Sequence, residues 1–378
     1  MSFDVIVVGA GAAGSAAAYH LAARGRRVLL LESQTLPRSK PCGGGMAASV
    51  QRWFPFDLTP AVAQVIAQVR FTWCLEDPVT AVLPGDSPFW IVRRERLDQH
   101  IASQAVAAGA ELRDGAAVQA IRRDGDHWQV ELEQQQLRAR AVVIADGSSS
   151  QLAGALGLGA TKPRFASAVA AEVEAEVLEP ETARFEFGLV HHGFCWAFPR
   201  QGGYSIGVGT FIGREAADAD AVLAQLLPSL GLPADAGLRR SSPLRVWDGH
   251  HPLHRGGGAL VVGDAASLCD PFLAEGLRPA LLSGVRAAEA LDRYLGSKAA
   301  EADQALAGYS AAMRAEWGDS MAWGRRIAQV FYRVPKVGYQ LGIKRPTAPQ
   351  RIAQILSGEM GYGDIAQRVI KRLLFQRG

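Results

Sequence analysis

The chain is poor in cysteine: four in 378 residues, none in a Cys-x-x-Cys pair. Cys42, Cys74, Cys195 and Cys269 lie far apart, which argues against a zinc site or a disulfide scaffold. Reduced thiols of a cytoplasmic protein fit better. No uncharged apolar run reaches the roughly 18 residues that a membrane-spanning helix needs. No leader segment is read at the start, because Phe3-Asp4-Val5-Ile6-Val7-Val8 already has a strand pattern. Repeats and low-complexity tracts are lacking as well. Charged residues make up only 20%, too few for a disordered or acidic-tail protein. The expectation is a globular protein that is soluble or rests on a membrane surface.

The hydrophobic fraction of 48% is enough for one large domain or two ordinary ones. The 41 glycines suit tight strand-to-helix turns. Net charge is +3, but from Met321 to Gly378 there are 11 Lys/Arg against 2 Asp/Glu, so the basic balance belongs to that segment alone. There Ile365, Val369, Ile370 and Leu373 fall on one side of a helix and Arg368, Lys371 and Arg372 on the other. Two readings are open. The helix lies on an anionic lipid surface, with Val330-Phe331-Tyr332 adding to the contact, or it packs on the protein with a solvated basic face. No nucleic-acid module accompanies the charge, and no such partner is expected.

The pattern along the chain predicts an α/β protein. Residues 1–50, 93–160 and 255–295 read as strands alternating with helices and predict one Rossmann-type nucleotide-binding domain assembled from three segments. Its strands are near-continuous apolar runs such as Val28-Leu29-Leu30-Leu31 and Ala141-Val142-Val143-Ile144, which suit burial on both faces. Helix is expected over about Leu97 to Ala108, and strands near 111–113, 118–122 and 128–132. Residues 51–92 and 161–254 form the inserted antiparallel-sheet domain. Alternation dominates in its second part, through Phe185/Phe187, Phe194/Trp196/Phe198 and Tyr204/Ile206/Val208, with a hairpin at Arg200-Gln201-Gly202-Gly203. Residues 296–378 predict a helical C-terminal region.

Val8 is followed by Gly9-Ala10-Gly11-Ala12-Ala13-Gly14, a GxGxxG run between strand and helix. The first glycine permits the tight turn, the second lets the backbone approach a pyrophosphate, and the third lets helix and strand pack closely. The helix N-terminus then offers N–H groups to the phosphates. Glu32 ends the next strand. A carboxylate there accepts hydrogen bonds from ribose hydroxyls and repels a 2′-phosphate, which disfavours NADP at this site.

This motif reads only an ADP-ribose half. A second loop lies far downstream, where the strand Ala259-Leu260-Val261-Val262 runs into Gly263-Asp264-Ala265-Ala266, then Asp270-Pro271-Phe272 and Glu275-Gly276 open a helix from Leu277 to Ala290. Asp264 is either an acceptor for a ribityl hydroxyl or a turn-forming Asp that contacts only backbone. The helix N-terminus would stabilise the negative charge of a reduced flavin by about 0.3–2 kcal/mol.

GxGxxG with Glu32, Arg94 four residues before Asp98, Asp146-Gly147 after a strand, and Gly263-Asp264 with Asp270-Pro271 together resemble the flavoprotein hydroxylase (p-hydroxybenzoate hydroxylase-like) superfamily. The resemblance covers about residues 1–290 and implies FAD in an extended pose. It assigns Gly9, Gly11, Gly14, Glu32, Arg94 and Asp264 to cofactor contact. Ala12, Ala13, Gly43, Gly44, Asp146, Gly147, Gly263, Pro271, Glu275 and Gly276 complete the candidate cofactor residues.

Lys40-Pro41-Cys42-Gly43-Gly44-Gly45 resembles the KxCGGG loop of geranylgeranyl reductases, and Phe194-Cys195-Trp196-Ala197-Phe198-Pro199 their YxWxFP strand, with Phe194 in place of Tyr. On a strand, Phe194, Trp196 and Phe198 share one face. They form either an apolar wall for an extended isoprenoid chain or an ordinary sheet core, while Cys195 and Ala197 keep the other face thin. The three glycines make a backbone able to lie flat against a ring system. Cys42 is read as a proton donor, a steric positioner or a small buried hydrophobe.

The expected reaction is hydride delivery from reduced FAD to an isolated prenyl double bond, which needs an acid and a dry pocket. Cys42 leads as the catalytic candidate, with His191 and His192 as fallback acids. Alternatives are a monooxygenase or halogenase of the same superfamily, a lycopene-cyclase-like isomerase, or a flavin-bearing lipid carrier without turnover. No second nucleotide motif is present, so the choice of electron donor between NAD(P)H and ferredoxin stays open. No metal site is expected.

Overall fold

The computed structural model describes residues 2–86, 88–211 and 218–367. β1 (Ser2–Val8) turns at Gly9 into α1 (Ala12–Ala22), which returns to β2 (Val28–Leu31). The strands pair in parallel, Val5 opposite Val28 and Val8 opposite Leu31. All four residues of β2 are buried, as an apolar run covered on both faces requires.

β3 (Gly45–Ala47), β4 (Val62–Ile66) and β7 (Phe89–Val92) make a small antiparallel sheet with β7 at its centre. Between them, β5 (Gln68–Trp73) and β6 (Glu76–Val82) form a hairpin that joins a larger sheet. α2 (Arg94–Ala107) leads to β8 (Glu111–Arg113), which pairs in parallel with β2. α2 begins three residues before the expected Leu97, because Arg94 and Asp98 pair one turn apart on its buried side. β9 (Ala120–Asp124) and β10 (His127–Glu131) form a meander with β11 (Gln136–Ile144), whose apolar end pairs in parallel with β1. β9 lies two residues beyond the expected span.

After the short α3 (Leu152–Ala155) come β12 (Phe165–Glu174), β13 (Thr182–Phe187), β14 (Gly193–Arg200) and β15 (Gly203–Thr210). Then follow α4 (Ala219–Leu226), β16 (Leu238–Arg245), β17 (His254–Arg255) and β18 (Ala259–Val261). The Rossmann-type sheet runs β17-β18-β11-β1-β2-β8, with β9 and β10 attached at β11. The second sheet runs β16-β12-β15-β14-β13-β5-β6 and is antiparallel except where β13 meets β5. The expected hairpin is present, with Arg200 opposite Gly203.

α5 (Leu277–Gly296) extends beyond the expected Ala290 and packs on α1 at close range. A Cβ at Gly284 would stand 2.3 Å from the Ala13 carbonyl oxygen, so only glycine admits that approach. α6 (Ala299–Met313), α7 (Asp319–Arg333), α8 (Pro335–Gly342) and α9 (Ala348–Leu356) follow.

This C-terminal region grips the segment after β18. The Tyr309 hydroxyl donates to the Val261 carbonyl at 2.8 Å, and the Trp317 indole N–H to that of Leu268 at 2.8 Å. The Tyr332 hydroxyl donates to the Phe272 carbonyl at 2.8 Å, and that of Tyr362 to Asp270 Oδ2 at 2.7 Å. The expected lipid contact of Val330-Phe331-Tyr332 is corrected in part. Phe331 and Tyr332 face the core, where apolar area is removed from water, and only Val330 is exposed. Ile365 packs half-buried against the core. Arg368, Val369, Ile370, Lys371, Arg372 and Leu373 lie outside the described residues.

Candidate functional site

The three glycines of the first turn do different work. Gly9 has φ +105°, and a Cβ there would stand 2.4 Å from the Ala145 carbonyl oxygen. A Cβ at Gly14 would stand 1.8 Å from the Gly9 carbonyl oxygen, so this glycine serves helix–strand packing. A Cβ at Gly11 would meet only two cations, Arg38 Nη2 at 3.6 Å and Arg94 Nη2 at 3.8 Å. No side chain caps α1 at this end. An uncapped helix N-terminus faced by two guanidinium groups fits a pyrophosphate.

Both cations belong to one buried ladder. Glu32 Oε2 accepts the Ala10 N–H at 3.0 Å and Arg38 Nη2 at 3.1 Å. Its Oε1 accepts the Ser33 hydroxyl and the Gln34 N–H, each at 3.2 Å. Arg38 Nη1 donates to Asp98 Oδ2 at 2.9 Å, and Arg94 donates to both Asp98 oxygens at 3.0 and 2.7 Å. Sequence reasoning identified Glu32 and Arg94 but gave Arg38 no role. Its basic charge, six residues after Glu32, was the available signal.

Two hollows adjoin this ladder. One is lined by Val8, Glu32, Arg38, Ala116 and Asp146 among others. The second carries the residues expected to meet the flavin and the substrate. They share Gly11, Lys40, Pro41, Ala145, Gly147 and Ser242, which makes one elongated channel fit for an extended dinucleotide. Lys40, also given no role from sequence, spans it by donating to Asp264 Oδ2 at 3.3 Å. Asp146 has a buried Oδ1 without a partner among the described residues, and burial pushes its carboxyl up.

All the candidate cofactor residues line the channel except Gly14, which packs α1 on β1, and Pro271, which is buried outside its walls. The loop around Pro271 is shaped by Asp270, whose Oδ1 accepts the Phe272 and Leu273 N–H groups at 2.6 and 3.0 Å. Glu275 Oε2 pairs with Arg278 at 2.7 Å, while its Oε1 is buried without a partner among the described residues. Burial pushes this carboxyl up to about 7, against the opposing pull of Arg278.

The flat glycine run meets rings of the protein itself. A Cβ at Gly43 would stand 3.1 Å from Trp196 Nε1 and 3.2 Å from the Phe198 ring, and one at Gly45 would stand 2.7 Å from Phe89. At Gly44, φ is +78° and a Cβ would stand 2.2 Å from the Val92 carbonyl oxygen. Cys42 is half-buried on the same wall, and its Sγ accepts the Gly44 N–H at 3.4 Å.

Phe194, Trp196 and Phe198 share one face of β14, and all three line the hollow with Phe185 and Phe211. Cys195 and Ala197 face a separate cluster with Ile206 and with Leu223 of α4, the thin face expected. Gly207 is required here, because its Cβ would stand 2.1 Å from the Trp196 ring. Trp196 Nε1 is buried without a partner among the described residues. His191 and His192 are corrected as fallback acids: both are exposed in the turn before β14 and neither lines the channel.

This fold and channel define a flavoprotein with an elongated cofactor site and an adjoining aromatic pocket. The family model described as FAD dependent oxidoreductase (DAO) matches residues 4–68 and 72–293, and the chain belongs to that family. It is an FAD-dependent oxidoreductase.

The chain is similar to digeranylgeranylglycerophospholipid reductase 2 of Methanothermobacter thermautotrophicus, 31% identical over 322 residues, which are 77% of this chain and 79% of the relative. It is similar to the menaquinone reductase of Mycobacterium tuberculosis, 31% identical over 332 residues, 77% of each chain. A geranylgeranyl bacteriochlorophyll reductase-like structure from Thermoplasma acidophilum shares the fold with a TM-score of 0.79, at 20% identity, over 94% of this chain and 91% of the other. A flavin-dependent brominase shares it with a TM-score of 0.72, at 20% identity, over 99% of each.

Two predictions follow from this geometry. Gly11→Ala should fold, because its Cβ meets nothing closer than 3.6 Å, but should weaken FAD retention about tenfold, near 1.4 kcal/mol. Titration of the cofactor-free protein with FAD reads this, and unchanged affinity would remove the pyrophosphate from this glycine. Gly14→Ala should instead fail to give folded protein. For Glu275, the folded carboxyl stays protonated up to about 7 while the unfolded one ionises near 4.5. Stability from this group is therefore full at low pH and lost as pH rises through that window, by on the order of 3 kcal/mol. Thermal melts of wild type and Glu275→Gln should diverge over that range, and parallel curves would contradict the assignment.

Proposed function

We propose that the chain reduces isolated double bonds of a prenyl, geranylgeranyl-type lipid. The observation that carries this is the aromatic wall of β14, which opens into the same hollow as Cys42, the glycine run and Asp264. Two curated relatives named as reductases of a digeranylgeranyl lipid and of menaquinone support the reading.

Bound and reduced, FAD supplies the hydride for one alkene carbon. The chain's residues do the rest. Gly11, Arg38 and Arg94 hold the pyrophosphate, Glu32 and Asp146 serve the adenosine side, and Asp264 serves the ribityl side. Phe194, Trp196, Phe198, Phe185 and Phe211 exclude water and orient an extended apolar chain. A dry pocket matters because an unactivated alkene competes poorly with water for a proton. Cys42, on the same wall, would deliver or steer that proton through its Sγ.

Residues 1–50, 93–160 and 255–295 act as the FAD-binding domain, and 51–92 with 161–254 as the substrate domain. Electrons arrive from NAD(P)H or a ferredoxin. The lipid substrate and the basic C-terminal segment favour work at a membrane surface. No described helix is long and apolar enough to cross a membrane.

The test is anaerobic reduction of the flavoprotein, then addition of geranylgeranyl diphosphate or a digeranylgeranyl phospholipid. Flavin reoxidation with a saturated product by mass spectrometry is expected. Cys42→Ala should slow that step by about 10²-fold or more, the scale of a lost proton-transfer group, with the flavin spectrum intact. Bound but unchanged lipid would favour a carrier, and a halogenated or oxygenated product on admitting halide and oxygen would favour the halogenase or monooxygenase reading.

A further inference from the structure

Large apolar side chains are exposed at scattered points of the surface, but four of them fall within twelve residues. Val330 is 68% exposed, Val334 48%, Val337 52% and Leu341 55%. Val337 and Leu341 stand one turn apart on α8, Val330 lies near the end of α7, and Val334 sits at the break between the two helices. Leu75, 38% exposed, adds to the patch from the hairpin on which α8 rests through Tyr339.

The charge around this ridge has one dominant sign. From Met321 to Gly358 there are seven Lys/Arg and no Asp or Glu. Lys344 is neutralised by Asp77 at 2.7 Å, and Arg326 stacks on Trp323. Arg333, Lys336 and Arg345 are exposed and make no ion pair among the described residues. Glu76, on the adjoining hairpin, is the nearby acid left without an ion pair there. Aliphatic side chains flanked by unneutralised cations match an anionic bilayer, which offers acyl chains below a layer of phosphates. Protein interfaces favour exposed aromatic anchors instead, whereas Phe331 and Tyr332 are buried and Trp323, half-buried, lies under Arg326.

The inner side of the same helix explains the placement. Phe331 packs on Phe187 at 5.3 Å between ring centroids, and Tyr332 on Phe211 at 6.3 Å. Phe211 and Phe194 line the substrate hollow and lie 4.9 Å apart. The ridge therefore stands one helix diameter, about 10 Å, from the aromatic end of the cavity.

We infer that the α7–α8 corner docks on an anionic membrane surface, with Val330, Val334, Val337 and Leu341 entering the acyl boundary and Arg333, Lys336 and Arg345 meeting lipid phosphates. Its purpose, bringing the aromatic end of the cavity to the bilayer, rests on the lipid-reductase reading. The contact itself does not.

The test uses the full FAD-loaded chain, sedimented with vesicles of phosphatidylcholine alone or mixed with phosphatidylglycerol. Binding to the mixed vesicles is expected, weakened by salt, and reduced at least tenfold in Val330→Glu/Val337→Glu. The flavin spectrum and melting temperature check that the variant is folded, and Val330→Ser/Val337→Ser serves as a milder second pair. Lys371→Glu/Arg372→Glu should retain binding. The inference is overturned if wild type ignores both vesicles, or if the ridge variants bind like wild type while the tail variant does not. It is also overturned if sedimentation shows a dimer that the ridge variants split without changing vesicle binding. None of these readouts needs turnover, so a chain that docks yet reduces no prenyl lipid would sink the reductase reading alone.

Discussion

The channel depends on the buried ladder Glu32–Arg38–Asp98–Arg94. It joins the end of β2, the loop before the glycine run and the first turn of α2, segments that are distant in sequence. Taking four charges out of water is costly, and such a set persists only when every oxygen and N–H finds a partner. Here the carboxylates hold the two guanidinium groups from behind, so that one Nη2 of each faces Gly11. The donors are thus fixed before an anion arrives, and little ordering remains to be done on binding.

A second theme is the removal of side chains to admit rings. Gly43, Gly45 and Gly207 each lack a Cβ where Trp196, Phe198 or Phe89 lies. The aromatic wall is therefore seated in recesses on both sides of β14's neighbourhood, not merely presented by alternation along that strand. Close packing of this kind leaves few alternative rotamers, which holds the rings of the wall in fixed, mutually tilted positions.

Much of this was legible in the sequence because it follows period or position. Parallel strands appeared as apolar runs, the antiparallel sheet as alternation, and the cofactor turns as glycines at strand ends. Phe194, Trp196 and Phe198 were placed on one face by the two-residue period alone. What escaped lies in loops and in side-chain direction. Arg38 and Lys40 were visible as charges, but nothing local shows that one reaches Glu32 and the other Asp264. The glycine run reads as a backbone able to lie against a ring system, but nothing local shows that its missing side chains also make room for Trp196, Phe198 and Phe89. Lipid contact and packing on the protein both stay open for Phe331 and Tyr332 in the sequence, because a basic, apolar stretch looks alike whether its rings turn in or out. Only tertiary packing separates the two.

The donors from Tyr309, Trp317, Tyr332 and Tyr362 to the stretch between Val261 and Phe272 carry a consequence for a shortened chain. That stretch supplies the wall around Asp264, yet its fasteners are encoded 48 to 92 residues later. Earlier elements support the same stretch, β11 through its pairing with β18 and Ser283 through its bond to the Gly263 N–H. A chain ending before Tyr309 would keep those supports and lose these four fasteners together.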